Sequence, residues 1–183
     1  MRALAALLSL ALVAAAPAGK PTEIRSGLGD EALVVPAGSP VRFLRFGKDY
    51  EGRFSGRFVL TGTFFYGCEI ECEPPLQKDQ VFAAIVPDPE IAAVLPHWKL
   101  RDNDMRIYLV NGERLASQIV TRQERAALLA GKIDDVRRHV TIIVDDFRAG
   151  IDCDSAFYSA RFVAIAKPIE IARAKPDGNY GCG

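Results

Sequence analysis

The amino-acid sequence predicts a mainly β chain with one or two short helices. Its best arrangement is a five-stranded Greek-key barrel of the oligonucleotide/oligosaccharide-binding (OB-like) type, and an α+β split antiparallel sheet with packed helices is the alternative. Three observations carry this. The run Phe58-Val-Leu-Thr-Gly-Thr-Phe-Phe-Tyr66 is nearly all β-branched or aromatic, with a glycine at its centre where a long barrel strand would bend. Four more apolar runs follow, punctuated by Pro, Gly and Asn. A helix signature falls between the third and fourth, giving the order strand, strand, strand, helix, strand, strand.

Residues 1–18 read as a cleavable export signal. Met1 and Arg2 precede an apolar run from Ala3 to Ala16, and Ala16-Pro17-Ala18 offers small residues to a signal peptidase. The run is Ala-rich and shorter than the roughly 20 residues a membrane-spanning helix needs. Removing 18 of the 183 residues leaves 165, a single-domain length, with no transmembrane segment expected after cleavage. The reading places the protein in the periplasm or the secreted fraction. Loss of Arg2 takes the 23 basic residues to 22, against 23 acidic ones, so the net charge supplies no drive toward nucleic acid, which is disfavoured as a partner.

Residues 19–40 read as an irregular N-terminal lead-in, interrupted by Pro21, Gly27, Gly29, Pro36 and Gly38, in which Ala32–Val35 offers one edge strand. The β-rich domain is expected over 41–168. Its opening stretch, 41–57, interleaves Arg42, Arg45, Lys48, Arg53 and Arg57 with Phe43, Phe46, Tyr50 and Phe54. Such interleaving marks either a solvated strand face opposite a core face or a groove for an anionic polymer. Arg42, Arg45, Arg53 and Arg57 are therefore the candidate anionic-ligand surface.

In the first strong strand, Phe58, Leu60, Phe64 and Tyr66 share a face that Gly62 interrupts, where a strand must bend or admit a close neighbour. Val81–Val86 is the second strand. Asp88-Pro89-Glu90 opens a short helix with Asp88 as its cap, stopped by Pro96. Met105–Val110 is the third strand, and Asn111-Gly112 signals a hairpin with Leu115–Val120 as its return arm. Thr121-Arg-Gln-Glu124 is a capping box, its helix running to Ala130 and closed by Gly131. Arg138–Val144 is the fourth strand, with Val140, Ile142 and Val144 on one face and His139, Thr141 and Ile143 on the other. Phe157–Ala166 is the fifth. Between them, Asp145–Asp154 reads as a solvated acidic connection. Residues 169–183 form a polar C-terminal tail.

Cys68, Cys72, Cys153 and Cys182 make an even set, which in an oxidising compartment reads as disulfides. A Cys68–Cys72 bridge would close a very small loop. Chain entropy favours pairing these two with Cys153 and Cys182 by about 1–2 kcal/mol per long loop, without selecting which goes where. The histidines, His97 and His139, stand at no ligand spacing from a cysteine, so no metal site is expected. No nucleophile elbow, zinc-protease helix or phosphate-binding glycine loop occurs, so neither catalytic nor cofactor-binding residues are assigned and no cofactor is expected. Gly52-Arg-Phe-Ser-Gly56 precedes its strand and lacks the geometry of an elbow.

These features favour an exported binding or structural module, non-enzymatic, whose partner is an envelope glycan, lipid or protein; they set no oligomeric state. The alternative is a small exported hydrolase with an unfamiliar site, which requires His139 or His97 beside an acid. N-terminal sequencing of the exported protein is expected to begin at Gly19, and non-reducing peptide mapping is expected to find Cys182 in a disulfide. An uncut Met1 terminus contradicts the first expectation, and a free Cys182 thiol contradicts the second.

Overall fold

The computed structural model describes residues 19–68, 72–101, 105–152 and 155–168. Ten strands and three α-helices follow one another as β1 (Thr22–Arg25), β2 (Ala32–Val35), β3 (Arg42–Phe46), β4 (Gly52–Ser55), β5 (Phe58–Gly67), β6 (Phe82–Pro87), α1 (Pro89–Ala92), β7 (His97–Trp98), β8 (Ile107–Leu109), α2 (Gly112–Ile119), α3 (Arg122–Leu129), β9 (Asp135–Asp152) and β10 (Ser155–Ile165). Residues 1–18, read from the sequence as an export signal, and residues 169–183 lie outside the described residues.

The main sheet has the order β10-β8-β6-β5-β9-β4-β3, and a further β10–β9 pairing brings five of its strands into a ring. Every pairing in it is antiparallel except β8 with β10. This corrects the predicted Greek-key barrel. The ring is not a closed, axially symmetric barrel, and the chain is a mixed α/β fold with mostly antiparallel sheet. A barrel needs strands of comparable length and a regular stagger. Here β8 has 3 residues and β9 has 18, and β4 and β3 continue the sheet away from the ring.

β9 is the spine of this arrangement. Its first part pairs with β5 from Asp135 to Val144, and its later part pairs with β10 and touches β4 at Arg148 and Ala149. The predicted faces of Arg138–Val144 are present: Val140, Ile142 and Val144 are buried and His139 is exposed. The acidic stretch after them is strand rather than a solvated connection, through Asp152. Asp146 adopts φ 51°, and the four residues of β9 from Asp145 to Arg148 lie opposite three of β10, Ser159 to Arg161. This bulge shifts the alternation by one place, so that Phe147 and Ala149 turn into the core that Val144 already faces.

A second sheet, β1-β2-β7, lies over one flank. The lead-in is thus a hairpin, and Ala32–Val35 is its central rather than its edge strand. Leu33 and Trp98 are fully buried, and Trp98 stacks on Phe46. The Trp98 backbone N–H donates to the Tyr158 hydroxyl at 3.4 Å, deep in the core.

The Asn111-Gly112 hairpin does not form, and the expected return arm Leu115–Val120 is instead the last part of the helix Gly112–Ile119 with its C-cap Val120. Asn111 uses its amide as a strand would: Nδ2 donates to the Phe162 carbonyl at 2.9 Å, and the Phe162 N–H donates to Oδ1 at 2.8 Å. Gly112, Leu115, Ala116 and Ile119 then form the buried stripe of α2, at helical spacing. The capping box of α3 is present, with the Glu124 N–H donating to Thr121 Oγ1 at 3.1 Å and the Thr121 N–H to Glu124 Oε2 at 2.9 Å. Gly131 closes that helix with φ 66°, as read from the sequence.

Cys68 and Cys72 are joined in a disulfide across a Cα–Cα distance of 6.3 Å. This corrects the long-range pairing expected for them: small as the loop is, the two Cα atoms stand within disulfide reach of each other. Cys153 and Cys182 lie outside the described residues. No helix among the described residues is long and apolar enough to cross a membrane.

Gly62 marks a close approach of backbones. A Cβ there would lie 2.2 Å from the Val86 carbonyl oxygen and 2.7 Å from the Pro87 Cα. Gly62→Ala is therefore expected to cost about 1–3 kcal/mol by overpacking against backbone that cannot swing aside. A urea midpoint unchanged from the parent protein would contradict this.

Candidate functional site

The basic-aromatic segment folds as the β3–β4 hairpin, closed where the Gly47 N–H donates to the Glu51 carbonyl at 2.7 Å. A bulge at Leu44 resets the pairing, so that Phe43 lies opposite Phe54 while Arg45 lies opposite Arg53. On the other edge of β4, Arg53 lies opposite Arg148 of β9. Directly opposed residues share a sheet face. Arg45, Arg53 and Arg148 therefore form one row across three adjacent strands, on the face opposite Phe54 and Phe147.

This row borders a cleft of about 660 Å³ that also includes Phe46, Gly47, Lys48, Asp49 and Glu51. Four basic side chains thus meet two acidic ones. Glu51 accepts from Arg53 Nε at 3.2 Å and pairs with Arg148 Nη1 at 3.6 Å, while Arg148 Nη2 donates to Asp146 at 2.8 Å. The hydrogen bond to Asp146 raises the pKa of the Arg148 guanidinium. Arg45 and Lys48 make no ion pair among the described residues. Like charges directly opposed across strands destabilise a sheet, and the row contains two such pairs. Arginine on the edge strand β3 would blunt the edge, but Arg53 and Arg148 stand on interior strands where that explanation fails.

Of the four arginines singled out in the sequence, Arg42, Arg45 and Arg53 lie on this outward face, Arg42 opposite Ser55. Arg57 is turned to Asp145 of β9 at 3.6 Å, and Asp145 also accepts from Arg161. Arg148 escaped the sequence reading because nothing local distinguishes it; only strand pairing sets it beside Arg53.

Two other polar clusters occur. His139 Nε2 lies 3.1 Å from Asp88 Oδ2, with the imidazole side chain 62 % exposed on the outer face of β9. Asp88 holds the N-cap position of α1 as predicted, yet its carboxylate makes no capping hydrogen bond and is spent on His139. His97 is half-buried, with Nδ1 3.2 Å from the Leu95 carbonyl oxygen. At the far end of β5, the Tyr66 hydroxyl donates to Glu113 and accepts from Arg125 Nη1 at 2.7 Å; Arg125 also reaches Glu113 at 2.8 Å and lies over the Tyr66 ring. Burial pushes the Tyr66 phenol well up, and the bond to Glu113 adds to it, so the proton stays on oxygen. No group of three or more His, Cys, Asp or Glu side chains placed to hold a metal occurs among the described residues.

No family model, curated protein or solved structure matches this chain.

Burial pushes the Glu113 carboxyl up, but hydrogen bonds from Tyr66 and Arg125 outweigh it and hold the group below its ordinary value of 4.5. Glu124 is likewise lowered, by Thr121 and Arg138 against its own burial. Carboxyls depressed in the folded state stabilise it fully above their unfolded values, and that contribution is lost as pH falls through the folded ones. Chemical denaturation is expected to show stability falling below about pH 4.5, with a shallower acid slope for Glu113→Gln. Identical acid slopes for the two proteins would count against this assignment.

Proposed function

We propose that the protein is an exported binding module that holds an anionic ligand at the β3–β4 cleft. The observation that carries the reading is the row Arg45, Arg53 and Arg148, set side by side at an energetic cost that the fold itself does not require. Glu51 and Asp146 hold Arg53 and Arg148 in place, while Arg45 and Lys48 keep their charge for a ligand. The export signal read in residues 1–18 puts the encounter in the periplasm or outside the cell, where the partner is an envelope glycan, lipid or protein. Arg45→Ala and Arg53→Ala are each expected to weaken retention on an immobilised sulfated polymer about tenfold, through loss of a charge-assisted hydrogen bond of about 1.5 kcal/mol. Added salt should weaken the binding further. Retention insensitive to both substitutions and to salt would overturn the reading.

A second reading, a small exported hydrolase, is favoured by the His139–Asp88 contact, which meets the requirement of a histidine with an acid in hydrogen-bond reach. There Asp88 orients the ring and leaves Nδ1 to act as base. Turnover of a chromogenic ester that disappears in both His139→Ala and Asp88→Asn, with unchanged melting temperatures, would establish it. Turnover indifferent to both substitutions would remove it.

A further inference from the structure

Two arginines of the row meet at one point. Arg53 Nε donates to Glu51 Oε1 at 3.2 Å, and Arg148 Nη1 lies 3.6 Å from the same oxygen. Guanidiniums from different strands thus converge on a single place, and a carboxylate of the chain itself occupies it. The pairing is loose. Guanidinium and carboxylate bind best fork to fork, through two parallel hydrogen bonds. Here one oxygen is shared between two arginines at unequal distances. Asp146 holds Arg148 Nη2 at 2.8 Å, but Arg148 Nε is buried without a hydrogen-bond partner among the described residues, so that guanidinium is short of acceptors.

Glu51 can leave without undoing the hairpin. Its backbone carbonyl, not its carboxylate, closes the turn by accepting from the Gly47 N–H. The Glu51 side chain is 25 % exposed and that of Arg53 40 %, so water screens their pair and the fold gains little from it. Gly47 keeps room for a replacement. Its φ lies outside the left-handed region, so the turn does not require glycine there. A Cβ at this position would stand 3.3 Å from Arg53 Nε and 3.6 Å from Nη2, between two residues that line the cleft.

We infer that the Glu51 carboxylate stands in the place of a ligand's phosphate group, which enters between Arg53 and Arg148 as Glu51 swings out. The inference rests on the anion-binding reading of the cleft and names the group bound there. A phosphomonoester carries about −1.5 to −2 charges at pH 7 and three acceptor oxygens. It gives each guanidinium an oxygen of its own, where Glu51 offers one between two, and it brings more charge than the group it displaces. A carboxylate ligand would only repeat what Glu51 already supplies. Arg45 and Lys48 line the same cleft, make no ion pair among the described residues, and add to the attraction for a dianion.

The test is calorimetric titration of the purified protein at low salt with inorganic phosphate and with acetate. Glu51→Gln is expected to bind phosphate about tenfold tighter than the parent protein, because the competing charge is gone, and Glu51→Ala should shift the same way. Asp49→Asn removes the other acidic side chain lining the cleft, which pairs with neither arginine, and is expected to change the affinity by no more than about twofold. Arg53→Ala combined with Glu51→Gln should abolish the gain, and melting temperatures check that each variant folds. Phosphate binding unchanged or weaker in Glu51→Gln, with Arg53→Ala still harmful in the parent, would overturn the displacement and leave the anion site standing. Equal gains in Glu51→Gln and Asp49→Asn would also overturn it, because net charge alone would then explain the effect. Acetate bound by Glu51→Gln as tightly as phosphate would overturn the choice of phosphate. Cosedimentation with vesicles containing phosphatidic acid, competed by phosphate, would assign the group to a lipid headgroup; phosphate binding without it would assign the group to a soluble ester, and either result supports the inference. Phosphate bound by no variant would overturn the inference, and retention on the sulfated polymer insensitive to salt and to Arg53→Ala would overturn the reading beneath it.

Discussion

The structure depends on one long strand being shared. Residues Asp135–Val144 of β9 pair with β5, residues from Ile142 onward pair with β10 on the opposite edge, and Arg148 and Ala149 meet β4 on the edge that β5 has left. A single segment thereby ties the first half of the ring to its last strand and to the hairpin that precedes both. The bulge at Asp146 makes this sharing possible. An unbroken alternation would put Val144 and Phe147 on opposite faces; with one residue set aside, both face the core, where Phe147 meets Phe54, Phe58 and Tyr158. The strand can then bend and still bury an apolar face along both of its halves.

The same device builds the candidate site. The bulge at Leu44 places Arg42 and Arg45 on one face although three positions separate them, and it aligns Arg45 with Arg53. The bulge in β9 sets Arg148 outward as the third member. Two local irregularities on strands distant in sequence thus converge on one row of charge. Glu51 and Asp146 temper the repulsion within it. The cationic surplus remains at Arg45 and Lys48, beside the opening, where an incoming anion would relieve it.

Elsewhere, polar side chains fasten elements that backbone pairing does not join. Asn111 completes the edge of β10 at Phe162, beyond the three residues of β8. Tyr66 and Arg125 tie α3 to the end of β5, with Glu113 of α2 as the shared acceptor. The charged face of α3 is fixed in turn by Glu124, which serves both the capping box and Arg138 of β9. The helices therefore sit against the ring end through these groups as well as through Leu115, Ile119 and Leu128.

Much of the local structure was legible in the residues. Strand β5, the alternation from Val140 to Val144, the capping box at Thr121 and the glycine stop at Gly131 all follow from short-range chemistry acting within a few residues, and nothing in their tertiary surroundings opposes it. The close approach at Gly62 was legible too, because a glycine amid β-branched and aromatic residues has few other uses. What escaped was set by partners far along the chain. Asn111-Gly112 carries a strong hairpin signal, yet the vacant edge at Phe162 offered Asn111 better hydrogen bonds, and Gly112 fits α2 against Ala83. The alternation in β9 breaks after Val144 because a bulge changes the phase of the pattern that defines a strand. A barrel was expected because strand order alone does not specify how long each pairing runs. The row of Arg45, Arg53 and Arg148 belongs to the same class. Its first two members come from one segment, but the third stands beside them only because β4 pairs with β9, a choice made by the packing of Phe54 on Phe147. The sequence by itself determined which residues are charged and which segments are extended; tertiary pairing decided which charges meet, because register across strands is fixed by the core face and carries the opposite face with it.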